Sequence, residues 1–533
     1  MPNNELPVLI AGGGLIGLST AMFLARHGIP SLAIERLRNV SPLPRAAHFH
    51  MRTLELFRAC GIEEEVKTQS LKEFEPEGAV AAFDTLAGKQ IAAFVPSLNE
   101  GVEAVSPSRR LFVTQPGLEP ILRRRAEQAG ARVEDGSEIV GLEQDDDGVT
   151  ATVRDTDSGA ERRIRAKYLV GADGGHSAVR DLLKIPFEGR GVFSNSITIY
   201  YEADVAPLMA GRNVSVEYIV NPRLSGFFRL DKEQKSGFLC VNTVGDTSKP
   251  EASNAAADVS EPRLVELVRA AIGVADIPVK ITGVARWRSV SDVARHYQLG
   301  RAFLAGDAAH LMPPNGGFGG NTGIHDAHNL AWKLAYVLKG IAAPDLLTTY
   351  ETERRPVGKF TVEQAYSRYV TRSATYLGAK DYEPVVHDFD IEVGYLYHSP
   401  AILSEPGETK LHELPSESLG RPGSRAPHLW VERDGQRIST LDLIGTNFTL
   451  LAAVDGGAWA DAARGMSHPA VDAYVIGRDV HDPDREFAEA YGIASSGAVL
   501  VRPDGFVAWR AKTLSQTPGE RLADLLRQLL MMG

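Results

Sequence analysis

The stretch from Gly306 to Gly323, GDAAHLMPPNGGFGGNTG, holds six glycines and two prolines in eighteen residues. Neither a helix interior nor a strand tolerates that composition, so the stretch reads as a turn. A strand-like run, Arg301 to Ala305, leads into Gly306 and Asp307, and a long helical pattern follows, its start expected near Asn321. Backbone this bare ahead of a helix lets a ligand press against N–H groups and the positive end of the helix dipole. Asp307, fixed at the strand end, has the chemistry to accept hydrogen bonds from a sugar or polyol hydroxyl. Taken alone, the stretch reads equally well as a surface loop with a helix cap.

A second glycine-rich turn is more specific. The apolar run LPVLIAG passes into Gly12-Gly13-Gly14-Leu15-Ile16-Gly17, then a helical pattern, then IPSLAIE ending in Glu35. Strand, glycine turn, helix, strand and acid in that order make a dinucleotide-binding fingerprint. Gly12 permits the turn, Gly14 lets a pyrophosphate approach the backbone, and Gly17 lets helix and strand pack closely. Glu35 suits the two ribose hydroxyls of an adenosine half. It would repel a 2′-phosphate, which disfavours NADP as the ligand of this turn, although Arg36 beside it blurs the point. A third turn, Asp173-Gly174-Gly175, follows the buried-strand run Tyr168 to Ala172 and precedes a helix carrying Ser177 and Arg180. Two strands that each end in Asp and a glycine turn, at Asp173 and Asp307, form an uncommon pair.

These turns need elements to hold them. At 533 residues the chain is expected to contain two or three domains, and 44% hydrophobic with 23% charged residues is an ordinary globular balance. A net charge of −11 argues against nucleic acid as a partner. Two cysteines, Cys60 and Cys240, exclude a disulfide framework and leave no thiolate metal site, so no metal is expected. The apolar stretch Val8 to Ala25 is short, glycine-interrupted and lacks a basic region before it, so a soluble, untargeted, cytoplasmic protein is expected with no membrane partner. The helix RTLELFRACG follows a loop containing Arg45 and His50, each of which reads as facing either a phosphate or solvent. Gln115 opens the helical pattern LEPILRRRAEQAGA, and its triple arginine reads as a solvated face. A hairpin is expected at Asp147-Gly148. The middle stretch, 184–299, alternates as strands bearing Tyr200, Tyr201, Tyr218, Phe227, Phe228, Phe238 and Trp287, which read either as plain core or as a substrate wall. From Asp345 to about Gly378 a helix is expected, interrupted at Pro356. After a proline-rich linker, strands alternate with helices as in a small α/β unit.

On GGGLIG with Glu35, YLVGADGGHSAVR, GDAAHLMPPNGGFGGNTGIHDAHNLAWKLA and the looser TQPGLEPIL, the chain resembles the class A FAD-dependent aromatic monooxygenases. The motifs lie in that family's order over about 350 residues. The resemblance implies an α/β chain: a Rossmann-like FAD-binding domain in two parts (1–183, and 300–398 with a helical tail), an inserted β-sheet substrate domain (184–299), and a linker with a thioredoxin-like domain (399–533). That last unit is similar to the C-terminal domain of the phenol and aromatic-polyketide hydroxylases. It has no CxxC, so thiol redox chemistry is excluded there and packing or dimerisation is the expected role. The resemblance further implies that Glu35 binds the adenosine ribose, Gln115 lies near the pyrophosphate, and Asp173 with Gly174 contacts FAD and the pyridine nucleotide. It places Asp307 on the ribityl or pyrophosphate region, Pro314, Gly319, Gly320 and Asn321 at the isoalloxazine edge, and Arg45 in a phosphate- or flavin-contacting loop. With a single Rossmann fingerprint, NAD(P)H is expected as a transient co-substrate.

The activity so implied is transfer of one oxygen from O₂ to an aromatic, phenolic or polyketide ring through a flavin C4a-hydroperoxide. Arg45, His50, Tyr218 and Arg372 are the candidates for assisting phenol deprotonation or holding the anion. Alternatives are a Baeyer–Villiger or ring-rearranging oxygenation of a polyketide quinone, a flavin oxidase or dehydrogenase, and a binding module that has lost its flavin. A homodimer is one expected form of assembly.

Overall fold

The run Leu6–Ala11 is apolar because it is buried on both faces, as a central strand of a parallel sheet must be. In the computed structural model, which describes residues 6–39, 47–209, 211–243, 254–255, 257–374 and 381–532, this strand (β1) lies between two parallel neighbours. On one side is β2 (Ser31–Glu35); on the other come β3 (Glu161–Gly171) and β4 (Ala302–Leu304). Helix α1 (Leu15–Arg26) connects β1 to β2. The hairpin expected at Asp147-Gly148 is present, pairing Ser137–Gln144 with Val149–Asp155. Among the described helices none is long and apolar enough to cross a membrane.

A second eight-stranded sheet stands over this unit, and it extends beyond the 184–299 stretch expected for it. Its far edge is Ala79–Phe83 and Gln90–Val95, and its near edge ends at His310–Leu311. The extra strands come from inside the first unit, so they bring Phe94 to the sheet from a segment that does not read as part of it. Strand alternation divides the aromatic residues. Tyr201 and Phe228 point to the face covered by the helix Glu261–Ile272 and are core. Tyr218, Phe227, Phe238 and Tyr200 form a chain of rings on the other face, with centroids 5.8–6.1 Å apart.

Helix α2 spans Met51–Ala59; Arg45, which precedes it in the chain, lies outside the described residues. Helix α3 (Gln115–Gln128) is capped by Thr114, whose hydroxyl accepts from the Gly117 N–H. Helix α4 (Phe318–Leu338) begins three residues before the expected Asn321, with Gly317 as its cap. Helix α5 (Thr348–Arg372) runs unbroken through Pro356, against the expected interruption. Proline removes one N–H and crowds the carbonyl four residues back, which long helices packed on both sides absorb as a bend. The C-terminal unit carries a four-stranded sheet in the order Val471–Val475, Phe448–Ala452, Ala498–Val501, Val507–Ala511, with helices Gly457–Arg464 and Pro518–Leu529. It is no appendage: Trp332 and Tyr336 of α4 share one apolar core with Phe448, Trp459 and Trp509.

Candidate functional site

The three glycine turns meet at the carboxyl edge of the parallel sheet. In register, Ala11 lies opposite Gly171, and Gly171 opposite Leu304. Strand order reverses between β1 and β3, the place where open parallel sheets take ligands. Gly12 has φ +99°, and a Cβ there would stand 2.3 Å from the Ala172 carbonyl oxygen, so only glycine lets these two turns touch. A Cβ on Gly17 would stand 1.9 Å from the Gly12 oxygen. Gly14 is different in kind: a Cβ there would meet only Glu119 Oε1 at 3.5 Å, so its outer face is open. The first N–H groups of α1, at Leu15 and Ile16, therefore face a space that an anion can enter.

Glu35 stands beside the first glycine turn. Its Oε2 accepts from the Gly13 N–H at 2.6 Å and its Oε1 from the Leu37 N–H at 2.8 Å. Each oxygen keeps a lone pair for a ribose hydroxyl. Arg36 is exposed beside it. Gln115, first residue of α3, donates to Glu119 Oε1 at 2.5 Å, which places both beside Gly14. Asp173 caps its own helix, accepting from the Ser177 hydroxyl and from the Val179 N–H at 3.1 Å. Burial raises its carboxyl above the usual range. Gly174, at φ +81°, has no neighbour within 4 Å of where a Cβ would stand. Arg180 ties this turn to the next, donating to the Gly175 carbonyl at 3.1 Å and reaching the Ala308 carbonyl at 3.5 Å.

Asp307 lies exposed on the single turn Gly306–Ala308. The turn is held from behind by Asp326, whose Oδ2 accepts from the Gly306 N–H at 3.1 Å and His310 Nε2 at 2.8 Å. Its Oδ1 accepts from Arg354 Nε at 2.7 Å. Burial opposes the Asp326 charge, yet Arg354 and His310 together hold the carboxyl below the usual range. Pro314 is exposed and its carbonyl accepts from the Gly317 N–H at 3.0 Å, closing the turn that starts α4. Gly319 and Gly320 lie in the first turn of α4, and a Cβ on Gly319 would meet only Met312 at 3.8 Å.

Asn321 does something the sequence did not suggest. Its side chain accepts from the His50 N–H (2.9 Å) and the Thr53 hydroxyl (2.7 Å), and donates to the carbonyls of His48 (2.9 Å) and Gly317 (2.7 Å). That saturates the amide, so the side chain staples α4 to α2 and has no capacity left for a ligand. His50 donates from Nε2 to the Gly316 carbonyl at 3.0 Å; a carbonyl only accepts, which fixes that proton. Burial lowers its pKa below the ordinary value, so the ring is neutral. His50 thus supports the loop from below. From above, Asn315 Nδ2 donates to the Tyr218 hydroxyl at 3.4 Å and the Ser373 hydroxyl at 3.1 Å. Arg372 lies 5.0 Å from the centre of the Phe94 ring, which packs edge-on against Tyr218 at 5.6 Å. Tyr218 and His50 therefore border one loop, Pro313 to Gly317, from two sides, and Arg372 sits over Phe94 behind Tyr218. The roles of Asn315 within this loop, of Ser373 beside it, and of Asp326 and Arg354 behind the Gly306 turn were not found from sequence; only the tertiary fold gives them these partners. Among the described residues no cluster of metal-binding side chains occurs.

An FAD binding domain matches residues 5–365, and an aromatic-ring hydroxylase C-terminal domain matches residues 420–531. The chain belongs to the FAD-dependent aromatic hydroxylases. It is 49% identical over 538 residues to 4-methyl-5-nitrocatechol 5-monooxygenase of Burkholderia sp, covering 99% of this chain and 98% of that one. It is 39% identical to tetracenomycin B2 monooxygenase-dioxygenase of Streptomyces olivaceus, covering 99% of each. The crystal structure of aklavinone-11 hydroxylase with FAD and aklavinone superposes with a TM-score of 0.94 at 35% identity, covering all of both chains. This hydroxylase is a flavoprotein monooxygenase that acts on an aromatic substrate with FAD as cofactor and NAD(P)H as co-substrate. Its residues fit the cofactor. The open backbone at Gly14, the helix starts at Leu15 and Phe318, and the acids Glu35 and Asp307 form one continuous edge suited to phosphate, sugar and polyol.

Proposed function

We propose that this hydroxylase inserts one oxygen atom into a small phenolic or catecholic ring, with the ring held between the flavin loop and the aromatic face of the second sheet. The observation that carries the reading is the full-length 49% identity to a nitrocatechol monooxygenase, ten points above the tetracenomycin relative at 39%. When bound, the flavin supplies activation of O₂ after taking a hydride from NAD(P)H. The chain's own residues bind and orient. The amides of Leu15 and Ile16 beside Gly14 take the pyrophosphate, with Gln115 close by, and Glu35 takes the adenosine ribose. Asp307 takes the ribityl chain, and Gly174 borders the cofactor on the side of Asp173. The first turn of α4, at Gly319 and Gly320, turns its N–H groups and positive dipole end towards the electron-rich edge of the flavin. Tyr218, held by Asn315, and Arg372, held over Phe94, stand where a phenolate oxygen needs a donor and a positive charge. His50 keeps the loop in place through its Nε2 proton, which is committed to the Gly316 carbonyl.

A second reading is an aromatic polyketide as substrate, favoured by the 0.94 TM-score to a hydroxylase crystallised with aklavinone. The test is a comparison of NAD(P)H oxidation stimulated by 4-methyl-5-nitrocatechol and by aklavinone, followed by product mass under ¹⁸O₂. Stimulation by the catechol with one labelled oxygen in the product supports the first reading. Stimulation by the polyketide alone replaces it with the second, and NAD(P)H oxidation without any labelled product rejects both.

A further inference from the structure

The C-terminal unit reaches the flavin loop through a buried ionic network that its apolar core does not require. Arg502 and Asp504 come from the turn between its third and fourth strands. Arg502 grips Glu353 of α5 with both arms, at 2.6 and 2.8 Å, and also pairs with Asp504. Lys333 of α4 donates to the same Glu353 at 2.8 Å, and Ser399 does so at 2.6 Å. Asp504 Oδ2 accepts from Asn329 and from the Trp332 indole N–H, each at 3.2 Å. Glu353, Arg502, Lys333 and Asp504 are all 2% exposed or less, two acids against two bases.

The next residue along α5 carries the linkage onward. Arg354 donates to Asp326 at 2.7 Å and to the Thr322 carbonyl at 3.1 Å, and Asp326 holds the Gly306 N–H. Its remaining arm donates to the Tyr397 hydroxyl at 3.0 Å, and Tyr397 stacks on Phe506 of the C-terminal unit at 4.1 Å. A parallel route runs through α2. Arg52 donates to the Asp504 carbonyl and to Glu55 at 2.9 Å. Its neighbour Thr53 donates to Asn321, which holds His50 and Gly317. A shared core of tryptophans and leucines would bind the two units at any small offset. A buried two-armed arginine would not, because its fork defines distance and angle together. Buried ion pairs contribute little net stability over apolar replacements, so the geometry is the benefit they leave.

We propose that Arg502 and Asp504 are positioning residues for the flavin, with the C-terminal unit fixing the register of α5 and α2 and so the Gly306–Asp307 turn and the first turn of α4. This rests on the reading of that edge as the FAD site. The test uses the full chain and two variants. Arg502→Lys keeps the charge and loses the fork; the pair Glu353→Gln with Arg502→Met removes one charge of each sign.

Three readouts are taken: FAD dissociation constant from flavin fluorescence, amide exchange in the cofactor-free chain, and hydrogen peroxide released per NAD(P)H consumed. The expected result is an FAD dissociation constant raised about tenfold, roughly 1.4 kcal/mol, with faster exchange across residues 306–322 and more peroxide. Protection in Phe448–Ala452 and Ala498–Val501 stays at the wild-type level. The proposal is overturned if FAD affinity and exchange at 306–322 are unchanged, or if the C-terminal strands alone lose protection. Should Arg502→Lys and the pair both fail to fold, Arg52→Lys, which spares the Glu353 cluster, is read by the same three measurements and the same two outcomes. A wild-type chain that bound no FAD would reject the cofactor site, whereas exchange without cofactor reports on the linkage by itself.

Discussion

Glu217→Gln is expected to stabilise the protein, and increasingly so as pH rises. Glu217 lies on Val214–Asn221, opposite Phe228, on the face of the second sheet that packs against Glu261–Ile272. It is fully buried, and neither carboxylate oxygen has a hydrogen-bond partner. Burial pushes its pKa from 4.5 up to about 8, the pull of Arg229 being too weak to offset it. In the unfolded chain the group ionises near 4.5, while the folded protein keeps the proton until about 8. A raised acid contributes its full stability below the lower value and loses it as pH climbs through the higher one. Each pH unit between them costs about 1.4 kcal/mol, so at pH 7 the native protein gives up about 3 kcal/mol. Glutamine has no proton to lose. Urea midpoints of both proteins, measured at steps from about pH 5 to about pH 8.5, should show a gap that widens across that window and then levels off. A gap that stays constant with pH, or narrows as pH rises, would refute the reasoning, because either means Glu217 is ionised in the fold.

Three further outcomes test the site. Gly14→Val should leave thermal stability within about 1 kcal/mol of wild type while abolishing FAD retention, whereas Gly17→Ala, whose Cβ would stand 1.9 Å from the Gly12 oxygen, should lower the melting temperature of the cofactor-free chain. Asp307→Ala should fold normally, because the residue is exposed, yet raise the FAD dissociation constant measured by flavin fluorescence. Asn321→Ala should cost about 2 kcal/mol by stranding the buried His50 N–H and removing the bonds to Thr53 and two carbonyls, with urea unfolding as the measurement.

Local chemistry was legible without coordinates wherever backbone geometry dictates residue type. Gly12, Gly17 and Glu35 announce a strand–turn–helix because no other residues satisfy those contacts, and the repetition at Asp173 and Asp307 marks two more strand ends. Period-two alternation likewise announced the second sheet. It did not say which strand face points inward: Tyr201 and Phe228 alternate as regularly as Tyr218 and Phe227, yet they are plain core. Nor did it reveal that Phe94 joins that sheet from more than a hundred residues upstream, since pairing between distant strands leaves no local periodic trace.

Asn321 shows the same limit at a single side chain. Its place in a glycine-rich helix start suggested a ligand contact, but its four hydrogen bonds go to residues about 270 positions away and to Gly317, and those partners exist only once the chain has folded. The acids and bases of the C-terminal network are the extreme case. Nothing in the spacing of Glu353, Arg354, Arg502 and Asp504 marks them as buried partners. By itself, then, the sequence determined the three glycine turns, the strand and helix types and the class of chemistry, because these follow from sterics and periodicity within a few residues. Which groups surround the Pro313–Gly317 loop, and that the C-terminal unit is tied to α2, α4 and α5 through buried charges, only the tertiary structure decided, because burial and long-range pairing set what each charge can touch.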